Sequence, residues 1–286
     1  MRGTHTGYRL SPVTMLILNG VLMSAAAATL PATDRALTHG LGLYETIKLA
    51  DGVPVFFEEH IARLVQGIAA LGLDKHIDKP ELAEQVGRLS EANGGDHNSC
   101  RILVTAGAPD GGPSLLIQTD RRDFPPRPLR VISYRGVRVS AQYKAMTVMQ
   151  STFAQRAARA AGVDDAILVD GEGRIFEGAT SNVFVVRAGG LITPPAEGDI
   201  LPGVMRAKVE QVATAAGMPV VEAWARVADL RPDDGVLLTS SVRGVVPVER
   251  VDDVPLLVHE QELATVRALV EIAEAASAAA FRATYL

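Results

Sequence analysis

A run of nine residues, Asp120-Arg121-Arg122-Asp123-Phe124-Pro125-Pro126-Arg127-Pro128, sets the first limit on what this chain can become. Three prolines in a polar stretch resist a helix and a central strand alike, because each proline removes a backbone donor. The chain therefore reads as two parts, residues 14–120 and 130–286, joined by a linker over 121–129. Each part is long enough to bury a core of its own.

Both parts mix strands with helices. Residues 1–13 read as a loose tail. Asn19-Gly20 between Met15–Leu18 and Val21–Met23 is a hairpin signal. Leu43–Leu49 alternates as a strand, and Asp51-Gly52 turns it into Val53–Phe57. From Glu58 the spacing Ile61, Leu64, Val65, Ile68, Leu71 becomes helical, and Pro80 opens a second helix. Arg101–Thr105 and Ser114–Thr119 read as strands. In the second part Arg130–Ser133, Val137–Tyr143, Ala166–Val169, Asn182–Val186 and Gly235–Thr239 read as strands. Met149–Ala161, Gly203–Ala216 and Glu260–Ala280 read as helices. This pattern predicts a two-domain mixed α/β (α+β) protein.

A net charge of −5 leaves no basic excess, so neither nucleic acid nor an anionic membrane surface is the expected partner. The single cysteine, Cys100, excludes an internal disulfide and reads as a small buried thiol. The six histidines show no metal-ligand spacing, and no metal is expected. The apolar patch from Met15 to Ala28 is broken by Asn19-Gly20 and Ser24 and has no basic lead-in. Neither a membrane span nor a signal peptide is expected, and the chain reads as cytoplasmic. The G-x-S-x-G elbow, the Walker A loop and H-E-x-x-H are absent, and Gly40-Leu41-Gly42 lacks the third glycine of a dinucleotide loop.

Lys144 is one of only five lysines and the only charged residue from Val139 to Gln155. A lysine isolated among apolar and small residues at a strand end suits a nucleophilic amine; the alternative is a lysine that snorkels to solvent. Glu177-Gly178-Ala179-Thr180-Ser181-Asn182-Val183-Phe184 places a carboxylate before small residues that admit a flat group, although a solvated turn would look similar. Three pieces suit an anion. Leu201-Pro202-Gly203-Val204-Met205-Arg206 opens a helix, Thr239-Ser240-Ser241 ends a strand with three hydroxyls, and Arg63 projects from the first helix. Each also reads as an ordinary cap, turn or surface ion pair. Arg101 shares a strand face with Leu103, opposite Ile102 and Val104. It suits either a carboxylate at a cavity or an edge ion pair.

Together these residues resemble the class IV (fold type IV) pyridoxal-phosphate enzymes, which include branched-chain and D-amino-acid aminotransferases, (R)-selective amine transaminases and 4-amino-4-deoxychorismate lyase. The matching stretches are Asp34-Arg35-Ala36, Gly40-x-Gly42-x-Tyr44-Glu45-Thr46, Glu59-His60-x-x-Arg63-Leu64 and Lys144. They continue with Asp164-Asp165-Ala166, Glu177-Gly178-x-x-Ser181-Asn182-x-Phe184 and Leu201-Pro202-Gly203-x-x-Arg206. The resemblance implies a small N-terminal α/β domain, a larger C-terminal mixed-sheet domain, and a homodimer using pyridoxal 5'-phosphate. It implies that Lys144 forms the Schiff base and shuttles the substrate proton, while Glu177 keeps the ring nitrogen protonated. Arg63, the N–H groups of Val204 and Met205, and the hydroxyls of Ser240 and Ser241 would hold the phosphate. Leu201 would pack on the ring, and Tyr44, Arg101 and Val242 would face substrate.

The departures bear on the reaction. Met205 replaces a frequent threonine, and Met149 stands where branched-chain enzymes carry tyrosine, with Thr46 where they carry glycine. The resemblance implies transamination between an amino acid or amine and a 2-oxo acid. The alternative is the lyase, which releases pyruvate and 4-aminobenzoate. Thr46 matches a proton donor of some lyases, but the loop Ala108–Pro113 lacks the arginine that lyases often carry there.

Overall fold

The computed structural model describes residues 14–196 and 198–286; the tail expected over 1–13 lies outside the described residues. The described chain divides into two compact units, one of residues 14–124, 143–147 and 274–286, the other of 125–142 and 148–273. The first break falls inside the proline-rich run. The short insertion 143–147 and the chain's last stretch, both C-terminal to the linker, nevertheless belong with the first unit, a grouping that a single cut at 121–129 does not describe.

The first unit contains β1 (Met15–Leu18), β2 (Val21–Ser24), α1 (Arg35–His39), β3 (Gly42–Ala50), β4 (Val53–Pro54), α2 (Phe57–Ala70), α3 (Lys79–Ala92), β5 (Ser99–Thr105) and β6 (Leu115–Asp120). Its strands form one sheet in the order β2-β1-β6-β5-β3-β4. The β1–β2 turn has Asn19 at φ 50° and Gly20 at φ 83°, the left-handed pair that a two-residue hairpin turn requires. Ile17, Ile47, Ile102, Ile117 and Val104 point to one face and pack with Ile61 and Leu64 of α2 and Val86 and Leu89 of α3. Gly67 brings α2 hard against β3, where any side chain would meet Leu43. The strand expected over Val53–Phe57 stops at Pro54, because Phe56 turns left-handed (φ 54°) and α2 starts at Phe57. Cys100 is fully buried, and burial pushes its thiol up to about 12, so it stays protonated and inert.

The second unit contains β7 (Leu129–Arg135), α4 (Met149–Ala160), β8 (Asp165–Val169), β9 (Ile175–Gly178), β10 (Asn182–Arg187), β11 (Gly190–Thr193), α5 (Val204–Ala215), β12 (Val220–Glu222), β13 (Gly235–Ser240), β14 (Gly244–Val251) and β15 (Val254–Pro255). The sheet order is β12-β11-β10-β13-β14-β7-β8-β9, with β15 on β14. Val131, Ile167, Val183, Val185, Leu238 and Val248 form its core, while Ala154 and Ala158 of α4 pack with Ala166 and Leu168 of β8. α6 (Glu260–Tyr285) gives residues 260–273 to this unit and 274–285 to the first.

One expected strand is absent. Residues 137–143 alternate in sequence, yet β7 ends at Arg135 and the chain loops onward with Ser140 left-handed at φ 56°. Lys144 therefore follows a loop and not a strand end. Among the described residues, no helix is long and apolar enough to cross a membrane.

Candidate active site

The first unit places several of the singled-out residues on β3 and β5. Along β3, Leu43, Glu45 and Ile47 face the packed core, while Tyr44 and Thr46 face the other way. In register, Tyr44 lies opposite Leu103 and Thr46 opposite Arg101. Arg101 and Leu103 are half-buried and Ile102 and Val104 fully buried, as the alternation predicts.

Residues 144–146 run antiparallel along the start of β3. Tyr44 N–H donates to the Lys144 carbonyl at 2.9 Å, Met146 N–H donates to the Gly42 carbonyl at 2.9 Å, and Leu43 and Ala145 bridge between them. Gly42 permits this approach, since a Cβ there would lie 2.8 Å from the Val104 carbonyl oxygen and against the Met146 sulfur. The glycine of the Gly40-x-Gly42 pattern is thus a docking point for the lysine segment. Lys144 Nζ lies 4.7 Å from the centre of the Tyr44 ring, and Arg101 Cζ also lies 4.7 Å from it. Two cations on one π-system hold that ring in place. Among the described residues, Arg101 Nε is buried and finds no hydrogen-bond partner. Tyr44, Thr46, Arg101 and Lys144 thus come together.

On the core side of β3, Glu45 receives Arg63 Nε at 2.8 Å and Nη2 at 2.7 Å, and meets His60 Nδ1 at 2.7 Å. Burial alone would push the Glu45 carboxyl up. Arg63 and His60 outweigh it and hold it at about 2. Burial pushes the fully buried His60 ring down, only partly offset by Glu45, so the ring is neutral at neutral pH. A carboxylate only accepts, so the His60 proton sits on Nδ1 and is donated to Glu45. The alternation of β3 marks Glu45 as a charge at a core position, a signal that it must have partners.

The second unit carries the other group. Glu177 lies in β9, opposite Leu168 of β8, and not in the turn that its sequence also suggested. It is 2% exposed and bound at both oxygens by Arg138, Nε at 2.5 Å and Nη2 at 2.6 Å. Leu201 N–H also points to it at 3.4 Å. Sequence reasoning missed Arg138; its only signal was a second charge close to Lys144. The Glu-Gly-x-x-Ser-Asn pattern is a tight turn, with Gly178 N–H donating to the Ser181 carbonyl at 2.7 Å and the Ser181 hydroxyl lying where a residue-178 side chain would be. Asn182 faces Thr239 across β10 and β13 and donates to the Leu201 carbonyl at 2.8 Å.

Beyond Leu201, Gly203 caps α5 without a side-chain acceptor, and Val204 and Met205 in its first turn are buried. Among the described residues, the buried hydroxyls of Thr239 and Ser181 find no partner. A twelve-residue helix whose buried first turn has no side-chain cap, in the same unit as orphaned hydroxyls, suits a phosphate. Ser240 and Val242 are half-buried at the end of β13 and in the turn after it. In that turn Arg243 reaches the buried Asp165 at 3.2 Å; burial pushes the Asp165 carboxyl up against the pull of Arg243. Among the described residues, no cluster of three or more His, Cys, Asp or Glu could hold a metal ion.

Residues 42–251 match the family described as amino-transferase class IV. This chain belongs to the class IV aminotransferases. It is 30% identical over 255 residues to a Methanocaldococcus jannaschii protein provisionally named a branched-chain-amino-acid aminotransferase, covering 83% of this chain and 88% of that one. It is 28% identical over 250 residues to the D-alanine aminotransferase of Bacillus licheniformis, with the same coverage. A fold IV-transaminase from Curtobacterium pusillum superposes with a TM-score of 0.78 at 27% identity, over 89% of this chain and 97% of that one. The fold is that of fold type IV, and the chain is an aminotransferase of a pyridoxal-phosphate-dependent family.

Proposed function

We propose that this aminotransferase moves an amino group between an amino acid or amine and a 2-oxo acid through pyridoxal 5'-phosphate bound to Lys144. The observation that carries the reading is Lys144 docked on β3 with its amine over Tyr44, beside the unpartnered Nε of Arg101. The bound cofactor supplies an electron sink for the carbon that loses its proton. With the cofactor bound, the Lys144 amine would take that proton from the substrate carbon bearing nitrogen and return it to the carbon on the other side of that nitrogen. Glu177, accepting only, holds a proton on the ring nitrogen, and Arg138 keeps both its oxygens in place. Arg63, the N–H groups of Val204 and Met205, and the hydroxyls of Ser240 and Ser241 bind the phosphate, and Leu201 packs on the ring. Tyr44 and Val242 line the substrate side, Thr46 lies across from Arg101, and the Arg101 fork takes a substrate carboxylate in two-point contact. The family resemblance supports a homodimer, and the single cysteine supports a cytoplasmic setting.

The protein should be yellow, and borohydride should fix the cofactor to the peptide carrying Lys144; label on Lys48, Lys75, Lys79 or Lys208 refutes the assignment. Amino exchange with 2-oxoglutarate or pyruvate is the expected activity, and pyruvate release from 4-amino-4-deoxychorismate without exchange would overturn it in favour of the lyase. Arg101→Met should raise KM for 2-oxoglutarate by about thirtyfold or more, the lower end of what loss of a buried two-point charge contact costs, and leave KM for a neutral amine donor much less changed. Equal small effects on both would place Arg101 in the scaffold.

A further inference from the structure

Glu45 lies outside every role assigned above, yet a carboxylate at a core position of β3, 1% exposed, needs a reason. Its two partners come from one face of α2, His60 and Arg63, one turn apart. Gly67 seats the same helix on β3 against Leu43, so strand and helix cannot slide and the three side chains meet in one arrangement. Arg63 gives Glu45 the edge that carries Nε and Nη2, which fixes the guanidinium plane and the direction of its Nη1 edge. His60 donates to Glu45 Oε2, the oxygen that also takes Arg63 Nη2, while adding no charge of its own.

We infer that Glu45, steadied by His60, is a positioning residue that presets the guanidinium of Arg63 for the cofactor phosphate. This rests on the reading that Arg63 binds that phosphate. A long arginine side chain is otherwise free to sample many rotamers, and ordering it on binding weakens the complex; here the ordering is complete before the ligand arrives. Glu45 therefore acts on the phosphate alone and through Arg63 alone. It does not act on the ring or its aldehyde.

Pyridoxal, which lacks the phosphate, separates these possibilities. The holoprotein, its Glu45→Gln and Arg63→Met variants and the double variant are stripped of cofactor and checked for fold by circular dichroism. Each is then titrated with pyridoxal 5'-phosphate and with pyridoxal, following the visible absorbance. Glu45→Gln should weaken pyridoxal 5'-phosphate by about 10–100-fold, the range for loss of a supporting partner behind a ligand-binding side chain, and change pyridoxal by less than about twofold. In the Arg63→Met background, Glu45→Gln should add less than about twofold, because the two act as one unit. Equal weakening of both ligands, or an undiminished Glu45→Gln effect without Arg63, overturns the proposal. Undiminished pyridoxal 5'-phosphate binding by Arg63→Met overturns the phosphate reading beneath it, a different result. If Glu45→Gln does not fold, Glu45→Asp, which keeps the charge but withdraws it by one methylene, carries the same expectations.

Discussion

Acid should separate the wild-type protein from its Glu45→Gln variant in a way that neutral pH does not. Glu45 ionises at about 2 in the fold, against 4.5 for an ordinary glutamate. A carboxyl held low contributes stability that is fully present above its unfolded value and is lost as pH falls toward its folded value. The difference between 4.5 and about 2, at about 1.4 kcal/mol per tenfold in proton affinity, is worth about 3 kcal/mol at neutral pH. Full burial means that solvent screening takes little from this figure. Burial also holds the His60 ring below the ordinary 6.5 in both proteins, so below that pH each unfolded chain takes up a proton that the fold refuses. Asp164, Asp170 and Asp234 are also held low, but wild type and variant share them and they cancel in the difference. Urea melts followed by far-ultraviolet circular dichroism from pH 7 to pH 2.5 give the two stability curves. The pH-dependent gap between them should be about 3 kcal/mol above pH 5.5, about 1.4 kcal/mol at pH 3, and below about 1 kcal/mol at pH 2.5. A gap that stays constant from pH 7 to pH 3 would show that Glu45 is not held ionised by Arg63 and His60.

Two further substitutions test the second unit. Arg138→Gln should lower stability by about 3–5 kcal/mol in urea melts, because it strands the buried Glu177 carboxylate, and adding Glu177→Gln should restore most of the loss; no restoration would mean that the pair is not what Arg138 serves. Gly203→Ala puts a methyl against the Asn182 amide oxygen and should displace Asn182 from the Leu201 carbonyl, costing about 1–3 kcal/mol and weakening cofactor retention. Unchanged melting and unchanged retention would contradict the role given to Asn182.

The parts of this protein legible in its sequence are those set by near neighbours. Asn19-Gly20 and Asp51-Gly52 fold as left-handed pairs because no side chain but glycine takes the second position without strain. The helical spacing from Ile61 to Ile68 gives α2, and the alternation from Arg101 to Val104 gives the faces of β5. Alternation misleads over residues 137–143, where Arg138 turns to Glu177 and Val139 is left in solvent. β14 escaped notice because Pro247 stands in its middle, opposite Leu237. β9 is only four residues long and depends on β8 for its partner. At the site, Lys144, Tyr44 and Arg101 could each be singled out, but their meeting around one ring depends on the Gly42 contact with residues 144–146, which no local pattern announces. The pairs Glu45–Arg63 and Arg138–Glu177 likewise join positions far apart in the chain, and only the oddity of a charge at a core position or in an apolar stretch hints at them.

The far end of α6 has a bearing on the order in which the protein assembles. Ala278 and Phe281 fill the core with β3, the rings of Phe281 and Tyr285 meet Phe57 edge to face, Ser277 takes the Phe56 N–H, and Glu274 meets Lys48 at 2.6 Å. A sheet begun at Met15 is thus left with an open seam while the whole second unit is being made. During synthesis the strand that carries Tyr44 and Glu45 waits, its inner face partly bare, for residues 274–286 to leave the ribosome. The second unit has all of its strands by residue 255, so its sheet can form before the core of the first unit is complete.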